Sequence, residues 1–138
     1  MICDTSALFA AYAADQQYHL ECATALKHAQ RRLISPVVLT EIDYLAGRIL
    51  GRAFASRIMS LLSGPNYQIL PYTQETLLTA SGVMKAYADM DLGVVDASLV
   101  AHAKETGTNE ILTLDHRHFR AVRGLDGRHF KLLPYDME

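Results

Sequence analysis

The chain has 138 residues, half of them hydrophobic and a fifth charged; a chain of this size buries roughly two-thirds of the surface it would expose unfolded. That balance excludes a disordered chain, and a net charge of −2 excludes nucleic-acid binding through bulk basicity alone. The apolar runs are short and the amino terminus enters a strand pattern without a charged leader, so the chain reads as one cytoplasmic domain over 1–138, with no targeting or membrane segment.

Taken in order, MICDT reads as a short buried strand ending at Asp4, and SALFAAYA begins a helix with Thr5 or Ser6 available as its cap. From about Tyr18 to Gln30, Leu20, Ala23, Ala25 and Leu26 suggest an amphipathic helix, and RRLISP is a brief strand. Ser35-Pro36 is a cap followed by proline at the first helical position. The helix VVLTEIDYLAGRIL then carries Val38, Ile42, Leu45 and Ile49 on one stripe, with Glu41 about 40° from Leu45 and leaning toward the core. Gly51 separates it from RAFASRIMSLLSG, giving a hairpin with Arg48, Arg52 and Arg57 on its polar side. Its apolar content, Phe54 and Met59 included, exceeds one buried stripe and suggests a partner or dimer surface. Gly64-Pro65-Asn66 is a turn, YQILP a third strand, and residues 74 to 88 a helix with Leu77, Leu78, Ala80, Val83, Met84 and Tyr87 apolar.

The stretch from Asp91 to Asp115 is the most informative. In helical register Asp96 is followed by Leu99, Val100 and Ala103, so it shares their apolar stripe, where an unpaired carboxylate is costly. That helix ends near Gly107, and EILTL is a buried strand delivering Asp115 at its carboxyl end, before a basic turn, HRHFR. Gly124 to Gly127 forms a loop and FKLLP a last short strand. Five of the 13 Lys and Arg residues fall between Arg117 and Lys131. Cys3 and Cys22 lack metal spacing and read as small buried hydrophobes.

Strands alternating with helices imply an α/β fold with a mainly parallel sheet covered on both faces. In such sheets the ligand crevice lies beyond the carboxyl ends of the strands, which puts Asp4 and Asp115 on one rim with Glu41 and Asp96 in reach. Four converging carboxylates must protonate, spread apart or hold a cation, since a pair ~4 Å apart repels by ~4 kcal/mol at an effective dielectric of ~20. Oxygen ligands without accompanying cysteine or histidine spacing suit Mg²⁺ or Mn²⁺. Such an ion activates water and neutralises phosphoryl charge, so phosphodiester hydrolysis is the expected chemistry, with the basic segment holding a substrate backbone.

Asp4-Thr5-Ser6 after an opening strand, Glu41 on a helix after Ser35-Pro36, LGVVDAS with Asp96 and LTLDHRHF with Asp115 resemble a PIN-domain nuclease, specifically a VapC-type toxin. The resemblance covers essentially the whole chain. It implies a three-layer α/β/α sandwich, Mg²⁺- or Mn²⁺-dependent endoribonuclease activity, and an acidic quartet of Asp4, Glu41, Asp96 and Asp115. It also implies a homodimer held inactive by a cognate antitoxin.

Plainer readings stand beside these. Asp4 and Asp115 are also helix caps, and Glu41 is also a boundary partner for Arg48. Asp91 is a turn cap or a support behind the acids, and Thr5 and Ser6 are caps or contacts to a metal-bound water. His116 and His118 form an H-x-H pair that reads as solvated or RNA-facing, Arg117 and Arg120 divide between substrate contact and a solvated face, and the orientation of Thr113 is not fixed. Rival functions are an RNA-processing nuclease outside a toxin–antitoxin pair, a phosphotransfer protein, which would want D-x-D where Asp4-Thr5-Ser6 stands, and a catalytically silent metal-binding interaction module.

Overall fold

In the computed structural model, which describes residues 1–137, a five-stranded all-parallel sheet runs in the order β3-β2-β1-β4-β5. The strands are β1 (Ile2–Cys3), β2 (Leu33–Ile34), β3 (Gln68–Ile69), β4 (Glu110–Leu112) and β5 (Lys131–Leu133). The helices are α1 (Thr5–Tyr12), α2 (His19–His28), α3 (Pro36–Leu50), α4 (Arg52–Leu62), α5 (Gln74–Ala86), α6 (Val94–Thr106) and α7 (His116–Ala121). From β1 the chain steps outward twice to β3, then crosses back to β4 and β5. Right-handed crossovers therefore place α1 to α4 on one face and α5 to α7 on the other, the three-layer α/β/α sandwich expected. No helix among the described residues is long and apolar enough to cross a membrane.

Burial on two faces explains the sequence of the central strands. Ile2, Cys3, Leu33, Ile34, Ile111 and Leu112 are all buried, a continuous apolar pattern, whereas Gln68 and Ile69 of the edge strand are exposed. Leu8, Ile42, Leu99 and Phe119 close on the sheet from α1, α3, α6 and α7. Cys3 and Cys22 are free and buried, and desolvation pushes their thiols up to about 12 and about 11, so they remain protonated.

Several local expectations are corrected by packing. Of the caps expected for α1, Asp4 serves and neither Thr5 nor Ser6 does: the Asp4 carboxylate accepts from the Thr5 amide at 2.8 Å, and Thr5 is inside the helix and buried. The fully buried stripe of α3 is Val38, Ile42 and Ala46, with Leu45 half-buried against the core; of the expected stripe only Ile49 is lost, because the last turn of α3 runs past the edge of the core and leaves it 52% exposed. With the stripe rotated this way, Glu41 turns outward and is exposed. On α5 the buried face is Thr76, Ala80 and Val83, since α5 packs closely on α6 and small residues permit the approach; Leu77 and Leu78 are exposed. On α4, Ala55, Ile58 and Leu62 are buried, Phe54 and Met59 half-buried. HRHFR is helical, not a turn, because Phe119 anchors it in the core. Gly107 ends α6 at φ 74°, a left-handed cap that favours glycine.

Ser35 precedes Pro36 as expected, yet its hydroxyl makes no cap bond. It lies 2.8 Å from Nε2 of the fully buried His102 of α6, tying β2 to the opposite helical layer. Tyr72 packs edge-on against the same imidazole and bonds Ser98, so this is a small buried polar network. Removing one partner leaves a desolvated group unpaired. Ser35→Ala is expected to lower the unfolding free energy by about 1–3 kcal/mol, measured by urea denaturation at neutral pH; an unchanged midpoint would show that the hydroxyl is not what satisfies the imidazole.

Candidate functional site

The strand order reverses at β1, whose outgoing connection leads to β2 on one side while β4 pairs on the other. In a doubly wound sheet the carboxyl ends of such neighbours open a crevice, because the two connections depart in opposite directions. Asp4 follows β1 directly, and Thr113, Leu114 and Asp115 follow β4.

Asp4 is 5% exposed. One carboxylate oxygen accepts from the Thr5 amide at 2.8 Å, and the other accepts from the Thr113 hydroxyl at 2.7 Å. Burial pushes its carboxyl up to about 7; the Thr113 bond opposes the shift, and the charges of Asp96 and Glu41 add to it. Thr113 Oγ1 also accepts from the Asp115 amide at 3.0 Å, so this one buried hydroxyl couples the acid after β1 to the acid after β4. The sequence carries a signal for it: a threonine inside a buried apolar strand must find a partner. Ser6 Oγ accepts from the Leu114 amide at 3.0 Å, fastening α1 to the connection after β4. Thr5 Oγ1 is buried and has no partner among the described residues.

Asp96 stands in the first turn of α6 with a side chain 19% exposed; burial raises its carboxyl above the ordinary range, and the charge of Asp115 raises it further. Asp115 is at the amino end of α7, where its side chain makes no cap bond. Both carboxylates instead meet His118, one helical turn along α7: Nδ1 is 3.2 Å from Asp96 Oδ2 and 3.0 Å from Asp115 Oδ2. Donor atoms of Asp96, Asp115 and His118 all lie within 4.8 Å of one another. His118, expected at a solvated or RNA-facing surface, thus belongs to the acid cluster, because i and i+3 share a helix face.

Glu41 is exposed and lies outside that three-residue group, as does Asp4, although the charge of Glu41 reaches both Asp4 and Asp96. No Glu41–Arg48 pair forms; the Arg48 guanidinium donates to Tyr44. Asp91 is exposed at φ 54°, ending a one-turn helix over 88–90, and makes no bond to the acids. The basic segment is largely neutralised: Arg120 makes a two-point pair with Asp136, Arg128 pairs with Asp126, and Lys131 is 3.8 Å from Glu110. Arg117 is exposed and lines a shallow depression with Ser6, Leu114, Asp115 and His116, whose ring packs edge-on against Tyr135.

Two carboxylates, an imidazole and a third, buried carboxyl that resists ionisation fit a divalent cation, which would relieve the mutual repulsion and the cost of burial. A cavity of about 520 Å³ at the opposite rim, lined in part by Met1, His28, Arg31, Glu110 and Lys131, holds no converging carboxylates.

Fold and crevice together define a doubly wound α/β domain with an acidic cluster at its switch point. The PIN-domain family model matches residues 1–125. Ribonuclease VapC26 of Mycobacterium tuberculosis is 32% identical over 135 residues, 97% of this chain and 100% of that protein. The chain belongs to the PIN-domain family, among its VapC-type members. Solved structures share the fold at low identity. VapC20 of M. tuberculosis, a Sarcin-Ricin loop cleaving toxin, superposes with a TM-score of 0.75 at 19% identity, covering 80% of this chain and 85% of that one. VapBC2 of Rickettsia felis, bound to a promoter DNA fragment, gives 0.71 at 13% identity over 95% and 96% of the respective chains. The FitAcB structure of Neisseria gonorrhoeae gives 0.67 at 17% identity over 94% and 96%.

The raised carboxyl of Asp4 fixes the sign of a pH dependence. Its folded value of about 7 lies above the ordinary 3.8, so between these values the folded state binds the proton more tightly. The metal-free protein should therefore lose stability as pH rises from about 4 to about 7, by at most about 4 kcal/mol from this group; Asp96 acts in the same direction. Melting temperatures across pH 5 to 8 check this. Asp4→Asn should flatten the slope and melt higher at pH 8, since an amide retains partners for Thr5 and Thr113 without the charge.

Proposed function

We propose that the chain is a metal-dependent endoribonuclease, the toxin of a toxin–antitoxin pair, with 1–138 acting as one nuclease domain. The observation that carries the reading is the convergence of Asp96 and Asp115 at the switch point beside the buried, Thr113-held Asp4. The similarity to Ribonuclease VapC26 over nearly the whole chain supports the reaction class.

Asp96 and Asp115, with Asp4 behind them, are the residues to hold Mg²⁺ or Mn²⁺. A bound ion of this kind lowers the pKa of water and offsets charge developing on a phosphoryl oxygen. The remaining steps fall to the chain itself. Thr113 and the Thr5 amide hold the Asp4 carboxylate, and Ser6 holds the β4–α7 connection against α1, so the acids face a fixed point. Glu41 is exposed on α3 and its charge reaches both Asp4 and Asp96, which supports a role in accepting the proton of the attacking water. Arg117, beside Asp115, meets an approaching phosphate. His116 flanks the same depression and extends that contact. Arg120 contributes by holding α7 to Asp136. Asp91 shapes the turn before α6.

A cognate antitoxin and a second copy of the chain are the proposed protein partners. A toxin–antitoxin complex from Klebsiella pneumoniae shares the fold with a TM-score of 0.68 at 19% identity. On this chain the exposed Tyr44, Ile49, Leu50 and Leu61 of the α3–α4 hairpin offer apolar area for a partner.

Purified chain freed of partner should cleave a mixed RNA pool with Mg²⁺ or Mn²⁺ and stop with chelator. Asp96→Asn should reduce cleavage at least about a hundredfold while keeping the parent circular dichroism spectrum. Cleavage by Asp96→Asn at the parent rate would sink the assignment, and metal binding without cleavage in the parent would favour an interaction module.

A further inference from the structure

The cluster contains a nitrogen. A site holding Mg²⁺ needs only oxygen donors, whereas imidazole favours the first-row transition ions. His118 is placed where its choice of partner matters. Nδ1 lies 3.0 Å from Asp115 Oδ2 and 3.2 Å from Asp96 Oδ2, and one ring nitrogen carries at most one hydrogen. That hydrogen serves one carboxylate well and leaves the other facing a nitrogen without a second proton to offer. Asp96, Asp115 and His118 would satisfy one another through a shared cation, which both carboxylates and the Nδ1 lone pair would hold, with the ring proton then on Nε2. Nε2 is free for this, with no hydrogen-bond partner among the described residues, and the side chain is 35% exposed.

The backbone supports the placement independently of any ion. Asp115 and His118 are three residues apart on α7, so the helix presents both to the same point. Phe119, 1% exposed and packed edge-on against Phe130, fixes the rotation of α7 about its axis. Asp96 comes from the opposing α6, whose neighbouring Ala97 and Ser98 are fully buried. Neither helix can turn its ligand away without breaking core contacts. The second histidine of the H-x-H pair does not join: His116 is exposed and its ring lies against Tyr135.

We propose that His118 is a nitrogen ligand of the metal site, completing an Asp96–Asp115–His118 donor set that selects Mn²⁺ over Mg²⁺. The inference rests on the carboxylate–metal reading of the same crevice and narrows it to one residue and one class of ion.

The test uses the full-length, metal-free chain with Mn²⁺ and Mg²⁺ as probes. Pulsed electron paramagnetic resonance of the bound Mn²⁺ should show nitrogen hyperfine coupling, which His118→Ala abolishes and His116→Ala leaves intact. Calorimetry should show Mn²⁺ binding about tenfold or more tighter than Mg²⁺, a preference that falls about tenfold in His118→Ala while Mg²⁺ affinity changes by less than about threefold. Coupling absent from the parent, or surviving in His118→Ala, overturns the inference even if metal binds. The parent spectrum requires no variant to fold. Asp96→Asn separates the two claims: Mn²⁺ bound equally by parent and Asp96→Asn, or by neither, defeats the carboxylate–metal reading itself.

Discussion

The burial of Asp4 between two parallel strands is the constraint on which the site depends. A carboxylate 5% exposed is tolerated only because the fold supplies a donor to each of its oxygens, the Thr5 amide and the Thr113 hydroxyl. Those two bonds also dictate where other things go. The first makes Asp4 the cap of α1 and so sets the direction in which the chain leaves β1. The second reaches across to β4, and through the Asp115 amide it positions the start of α7. The same contacts that satisfy the buried acid therefore assemble the rim.

Charge is concentrated there at a cost. Two acids whose carboxyls are both raised, and a third beside them, oppose one another in a partly dehydrated crevice. A fold optimised for stability would not keep them, and repulsion of this kind is the usual mark of a site that waits for a cation or substrate. Away from the rim the basic groups after Asp115 are spent differently. Arg120, Arg128 and Lys131 neutralise neighbouring acids, so the positive character suggested by composition is local. Arg117 alone among the arginines lines the depression beside the acids.

A second buried polar contact, Ser35 with His102, plays a structural part that resembles the first. It joins the end of β2 to α6, as Thr113 joins the ends of β1 and β4. Both use a hydroxyl at the carboxyl end of a strand, where the ladder stops and backbone pairing no longer orders the chain. With strands only two or three residues long, such side-chain ties carry some of the order that a longer sheet would obtain from its backbone.

Much of this was legible from residue order. Alternating apolar runs and helical stripes gave the parallel sheet, Gly51 and Gly107 marked helix ends, and the strand-terminal positions of Asp4 and Asp115 put them on one rim, since side-chain periodicity and strand direction are local properties. What the sequence did not decide was rotation and partnership. Ile49 satisfies a helical stripe as well as Ala46 does, and only the reach of the core selects Ala46, leaves Ile49 in solvent and turns Glu41 outward. His118 reads as a surface histidine until the rotation of α7, fixed by Phe119, brings it between Asp96 and Asp115, acids 19 residues apart in sequence. Thr113 likewise acquires its role from Asp4, at a separation of 109 residues. The sequence by itself determined which elements form and which ends carry acid, because those follow from spacing along one chain. The tertiary structure decided which donor meets which acid, because that depends on how separate elements rotate as they pack against a shared core.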